Sequence, residues 1–149
     1  MGIIAHRHVG ITVSDLARAE RFYCDYLGMK RLSFLPEREG KYIETLVGVP
    51  GAKIDIMMLE AVGGMRLELL QYKSHPAPPN KPAVAIEPGR PHVAFAVDDL
   101  MGLYNRRDEF GCVFKSPPLL SPDNVLVAYA HDPDGTILEL VELLAGHGA

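Results

Sequence analysis

The chain says the same thing twice, and that repetition limits what it can fold into more than any other feature. The run His8-Val9-Gly10-Ile11-Thr12-Val13-Ser14-Asp15-Leu16 returns 84 residues later as His92-Val93-Ala94-Phe95-Ala96-Val97-Asp98-Asp99-Leu100. In each copy a histidine leads an alternating stretch, and an aspartate and a leucine stand seven and eight residues after it. A second pair of runs matches as well. Leu67-Glu68-Leu69-Leu70 and Leu138-Glu139-Leu140-Val141 each set one carboxylate in an apolar strand, four residues after Gly64 and Gly135 respectively. Such a pattern is the mark of a duplicated structural unit. Each half then supplies one histidine near its first strand and one glutamate near its last. A carboxylate placed where an apolar residue is expected, and buried there, must be paired, protonated or bound to a metal.

Alternation marks residues 6–13 as a strand, with Val9, Ile11 and Val13 on one face and His8, Gly10 and Thr12 on the other. Apart from the histidine the second set is small, which leaves space in front of the imidazole. Ser14 or Asp15 is placed to cap the following helix, whose apolar positions Leu16, Ala19, Tyr23 and Leu27 recur at helical spacing up to a stop at Gly28. Residues 29–35 and 41–47 read as strands around the charged turn Glu37-Arg38-Glu39-Gly40, and Ile54 to Leu59 reads as a strand that pairs with the Glu68 strand as a hairpin. The second half restarts at His92, with a helix from about Asp99 to Phe110, a stop at Gly111, strands near 112–115 and 124–131, and the Glu139 strand. Between the halves, residues 73–91 hold six of the twelve prolines, which suits a semi-rigid connector more than a lid over a site. The resulting domain division is a first module at 1–72, a proline-rich linker at 73–91 and a second module at 92–149, whose tail at 145–149 reads as frayed.

A formal charge of −4 with no basic stripe argues against nucleic acid as a partner. No apolar run approaches 18 residues, so a membrane partner is not expected. The N-terminus becomes strand-like too early for a signal peptide, and Cys24 and Cys112 lack a metal-binding spacing. Free thiols in a cytoplasmic protein are the expectation.

On the inner faces of their strands, His8, Glu68, His92 and Glu139 offer two nitrogens and two oxygens. This donor set suits Ni²⁺, Co²⁺, Zn²⁺, Mn²⁺ or Fe²⁺ and leaves room on an octahedral ion for a substrate that binds through two adjacent oxygens. Arg66, Tyr72 and Tyr129 are weaker candidates for substrate contact, and His6 and His131 compete with the two leading histidines for the ligand role.

These stretches, together with Phe22-Tyr23, Leu27-Gly28-Met29 and Asp132-Pro133-Asp134-Gly135-Thr136, resemble the vicinal oxygen chelate superfamily of glyoxalases, epimerases, extradiol dioxygenases and bleomycin- or fosfomycin-resistance proteins. The resemblance implies an α+β fold of two tandem βαβββ modules whose curved mixed sheets surround a metal-binding cup, and a homodimer. It also implies that His8, Glu68, His92 and Glu139 are the metal ligands, as in glyoxalase I. The expected function is a divalent-metal-dependent lyase or isomerase that takes a proton alpha to a chelated carbonyl. Glu139 is the expected base and Glu68 the alternative. A non-catalytic drug- or metabolite-binding protein and an iron-dependent ring-cleaving dioxygenase are the competing readings. Epimerases commonly carry glutamine where Glu68 stands, and dioxygenases use two histidines and one glutamate, so the fourth ligand here leans away from both. Residues 47–52 and the proline-rich segment do not resemble the glutathione-binding parts of a glyoxalase.

Overall fold

A computed structural model describes residues 2–76 and 81–144. Pro78 and Pro79 of the connector and the tail at 145–149 lie outside them. The chain divides into two compact units, Met1–Pro79 and Asn80–Ala149. Each is a βαβββ-like module with its own mixed sheet, so the fold is α+β. Among the described residues no helix is long and apolar enough to cross a membrane.

In the first unit β1 (Val9–Thr12) leads into α1 (Leu16–Glu20). Asp15 caps this helix, its carboxylate accepting from the Arg18 amide at 2.9 Å. The helix widens into a π-helical stretch, Arg21–Tyr26, which buries Phe22, Tyr23 and Tyr26. Then come β2 (Lys30–Arg38), α2 (Lys41–Val47), β3 (Ile54–Glu60) and β4 (Arg66–Tyr72). The strand order is β1-β4-β3-β2, with β1 parallel to β4 and the other pairs antiparallel. Pro36 sits in β2, where an edge strand tolerates a residue that cannot donate to a ladder.

Residues 41–47 are therefore helical, and the strand expected there is corrected. Their β-branched content suggests a strand, but Ile43, Leu46 and Val47 also fit helical spacing, and glycines close both ends. Gly48 ends the helix in the left-handed conformation at φ 69°. Burial decides the outcome. Ile43 packs with Ala52 and Ile54, and Val47, Ile56, Leu70 and Tyr72 join the cluster. Leu70 and Tyr72 alternate with Glu68 on the same face of β4, so α2 fills one end of the face that carries Glu68.

The second unit repeats the plan with β5 (His92–Ala96), α3 (Leu100–Arg106) running into a 3₁₀ turn at Arg107–Phe110, β6 (Val113–Phe114), β7 (Leu119–Leu120), β8 (Val125–His131) and β9 (Ile137–Leu143). Asp99 caps α3 as Asp15 caps α1, its carboxylate accepting from the Gly102 amide at 2.7 Å. The order is β5-β9-β8-β6, with the short β7 also paired to β8 and β5 parallel to β9. No strand was expected at Leu119–Leu120, where two residues are too few to show a period. From residue 81 on, the connector belongs to the second unit. The Ala83 amide donates to Gly135 O at 3.2 Å, and the His131 imidazole donates through Nε2 to Ala83 O at 2.8 Å.

The two halves share a further correspondence. Gln71 Oε1 accepts the Leu16 amide at 3.1 Å, and Glu142 Oε2 accepts the Leu100 amide at 2.8 Å. Each lies three residues beyond the strand glutamate and ties the start of the helix to the last strand. The helices therefore cover the faces of Leu67, Leu69 and Gln71 in one unit and of Leu138, Leu140 and Glu142 in the other, where all four leucines are fully buried. Glu68 and Glu139 necessarily point the other way. Leu140→Ala should cost about 2–5 kcal/mol because the cavity under α3 cannot close completely. Urea unfolding checks this, with Leu143→Ala, at a residue 56% exposed, expected to stay within about 0.5 kcal/mol of the parent.

Candidate metal centre

Parallel pairing delivers each histidine to its glutamate. Gly10 stands opposite Glu68, and Ala94 stands opposite Glu139. A small residue at that position leaves the carboxylate free to lean toward the histidine two residues earlier. A Cβ added at Gly10 would lie 3.9 Å from Glu68 Oε2, an ordinary contact, which is why alanine can occupy the matching place in the second copy. His8 Nε2 then lies 3.3 Å from Glu68 Oε2, and His92 Nε2 lies 2.9 Å from Glu139 Oε2.

These spans can be tested against a metal. Two donors bound to one ion at about 2.0–2.2 Å, at the angles of an octahedron or tetrahedron, lie about 2.9–3.5 Å apart. Both pairs fall in that interval, and imidazole nitrogen with carboxylate oxygen is a donor set that first-row divalent ions accept. The same separations also suit a direct hydrogen bond. Such a pair stabilises the fold little, roughly 0–1 kcal/mol, because its side chains keep 22–44% of their surface in water. The carboxylates are thus half-buried.

The chain brings its four expected ligands together two at a time. Among the described residues, no group of three or more His, Cys, Asp or Glu side chains could hold a metal ion. Of the competing histidines, His6 is exposed, and His131 is buried with its Nε2 committed to Ala83 O. Arg66 pairs with Glu60 at 3.4 Å.

The two pairs differ in one respect. The residue opposite Glu139 on the neighbouring strand is Tyr129, whereas the one opposite Glu68 is Met58. The Tyr129 hydroxyl donates to Glu139 Oε2 at 3.3 Å, lies 3.5 Å from His92 Nε2, and its ring meets the His92 ring edge-on at 5.2 Å. Desolvation, then the charge of Glu139 and the bond to it, pushes the Tyr129 phenol above its ordinary value, so it stays a proton donor at neutral pH. From the sequence alone Tyr129 is only a weak candidate for substrate contact. Its signal is a register, and register appears only when β8 is laid against β9.

Known proteins share this architecture. A probable lactoylglutathione lyase from Synechocystis is 26% identical over 136 residues, spanning 91% of this chain and 92% of that protein. A lactoylglutathione lyase from Salmonella typhimurium is 27% identical over 143 residues, 95% of each. The crystal structure of a glyoxalase family protein from Bacillus cereus superposes with a TM-score of 0.87 at 20% identity, covering 97% of both chains, which speaks for the fold. The profile of the Glyoxalase/Bleomycin resistance protein/Dioxygenase superfamily matches residues 6–140, and the chain belongs to that superfamily.

Proposed function

We propose that the protein is a divalent-metal-dependent lyase or isomerase that moves a proton alpha to a carbonyl of a small substrate with two neighbouring oxygens. The observation that carries this reading is the duplicated His–Glu pair, each with its nitrogen and oxygen at the separation of two ligands on one ion. His8 and Glu68 from one half and His92 and Glu139 from the other would complete a four-ligand site. An ion held there would polarise the chelated carbonyl and acidify the neighbouring C–H. Two relatives, one of them named as probable, are lactoylglutathione lyases, and this supports the lyase assignment.

Glu139 is the base in this reading, because its surroundings give the carboxylate a second partner. It takes the substrate proton on an Oε atom and returns it at a neighbouring carbon. Tyr129 holds the carboxylate in place through that exchange, while His92 stays beside it. Glu68, whose neighbour across the ladder is Met58, serves mainly as a ligand.

The test is proton exchange. Protein loaded with Ni²⁺ or Zn²⁺ and given S-lactoylglutathione or other 2-hydroxyacyl thioesters in D₂O should exchange the α-proton, read by NMR. Absence of exchange across the panel with fully loaded protein contradicts the reading. Tyr129→Phe should slow exchange about tenfold, the worth of one hydrogen bond to a charged group, without changing bound metal.

A binding protein without turnover is the second reading, favoured by an apolar-walled cleft of about 390 Å³ beside Tyr129. It expects a metal-free protein that nevertheless binds small apolar molecules.

A further inference from the structure

The cleft beside Tyr129 lies wholly in the second unit, between Val84 and Ile86 of the connector and Lys115, Tyr129, His131 and Ile137 of the sheet. Tyr129 and Ile137 share the face of Glu139, because Tyr129 pairs with Glu139 across the ladder and Ile137 precedes it by two residues. Lys115 lies on that face too. Its amide donates to Tyr129 O at 2.9 Å, which sets it opposite Tyr129, while its neighbour Phe114 turns the other way onto Tyr104. One continuous surface therefore runs from the proton-transfer carboxylate to a lysine.

The connector is not a bare spacer here. Two hydrogen bonds at Ala83 fasten it to the end of β8 at His131 and to the following turn at Gly135. Just beyond, it holds Val84, 43% exposed, and Ile86, 88% exposed, at the rim of the cleft. Among the described residues the Lys115 ammonium has no carboxylate partner, whereas Lys53 and Lys73 do. Apolar walls beside an uncommitted cation call for an amphiphile with a negative end. The volume, about 390 Å³, is in the range of small-ligand sites.

We infer that this cleft binds the remote part of the substrate, and that the substrate is an anion: an acyl or aryl group whose acidic end meets Lys115 while its reactive end lies at Glu139. This rests on the proton-transfer reading for what the reactive end does. Lys115 and Glu139 sit two strands apart, about 10 Å, so several carbon atoms separate the two ends. Val84 and Ile86 select the apolar portion and Lys115 the charge.

The experiment measures binding on protein stripped of metal by chelation, so that its failure is distinct from failure of the metal reading. Titration calorimetry compares 3-phenylpropanoate, its neutral amide 3-phenylpropanamide, and 2-phenylethyl phosphate. Both anions should bind at least tenfold more tightly than the amide, and whichever binds better identifies a carboxylate or a phosphate as the natural end. Lys115→Met should bring the anions down to the level of the amide. Ile86→Ser should weaken all three by a similar factor, and Lys41→Met, at an exposed lysine of the first unit, should leave the preference for anions unchanged. Equal binding of acid and amide, no binding at all, a preference that survives Lys115→Met or disappears with Lys41→Met, or indifference to Ile86→Ser would each overturn the assignment.

Discussion

Replacing Glu139 with glutamine is expected to cut α-proton exchange about a thousandfold while most of the bound metal remains. The amide keeps an oxygen that can ligate but is far too weakly basic to take a proton from carbon, so the loss falls on turnover. A positioned acid–base group is worth about 10²–10⁴ in rate. Tyr129 and His92 flank the same atom, Glu139 Oε2, and keep the substituted side chain in place. Glu68→Gln should cost much less, about tenfold, and through weaker metal retention. The paired variants are compared by metal content and by deuterium exchange at limiting and at saturating metal, where the Glu68→Gln loss should disappear and the Glu139→Gln loss should remain. Undiminished exchange in Glu139→Gln removes the base assignment, and the larger loss in Glu68→Gln transfers it to the other half.

Removing one imidazole is the second large effect. His8→Ala and His92→Ala should each weaken retention of the divalent ion by at least about a hundredfold, since even partners outside the ligand set change affinity 10–100-fold. Duplication makes the two losses comparable, because each histidine occupies the same place in its module. Folding should be unaffected to within about 1 kcal/mol, as expected for half-exposed pairs. His131→Ala is the control. It should loosen the connector at Ala83 and leave metal content as it was. Elemental analysis after dialysis reads all three, and ion loss confined to one histidine would mean that the halves do not share a site.

The duplication was legible because it is written in residue types at fixed intervals. Asp15, with Ser14 as the alternative, could be read as the cap of the first helix, whereas the matching role of Asp99 shows only in the structure, and the faces of the Glu68 and Glu139 strands followed from alternation. Helix α2 was hidden because Ile43, Thr45 and Val47 favour extended chain in isolation, and only burial against Ala52 and Ile54 decides for a helix. The paired roles of Gln71 and Glu142 were invisible for another reason. One is an amide and the other an acid, and what they share is the helix amide each receives. Tyr129 reads along the chain only as a weak candidate for substrate contact, since nothing there places it opposite Glu139. The half-burial of both carboxylates likewise depends on what stands above them, which strand periodicity does not report.

The most direct measurement is anomalous diffraction from crystals grown with Co²⁺ or Ni²⁺. The account predicts one strong peak per site, with His8 and Glu68 of one half and His92 and Glu139 of the other all within about 2.0–2.3 Å of it, whether the halves come from one chain or two. Separate weak peaks at each His–Glu pair, or an ion bound elsewhere with both pairs still hydrogen-bonded, would contradict it.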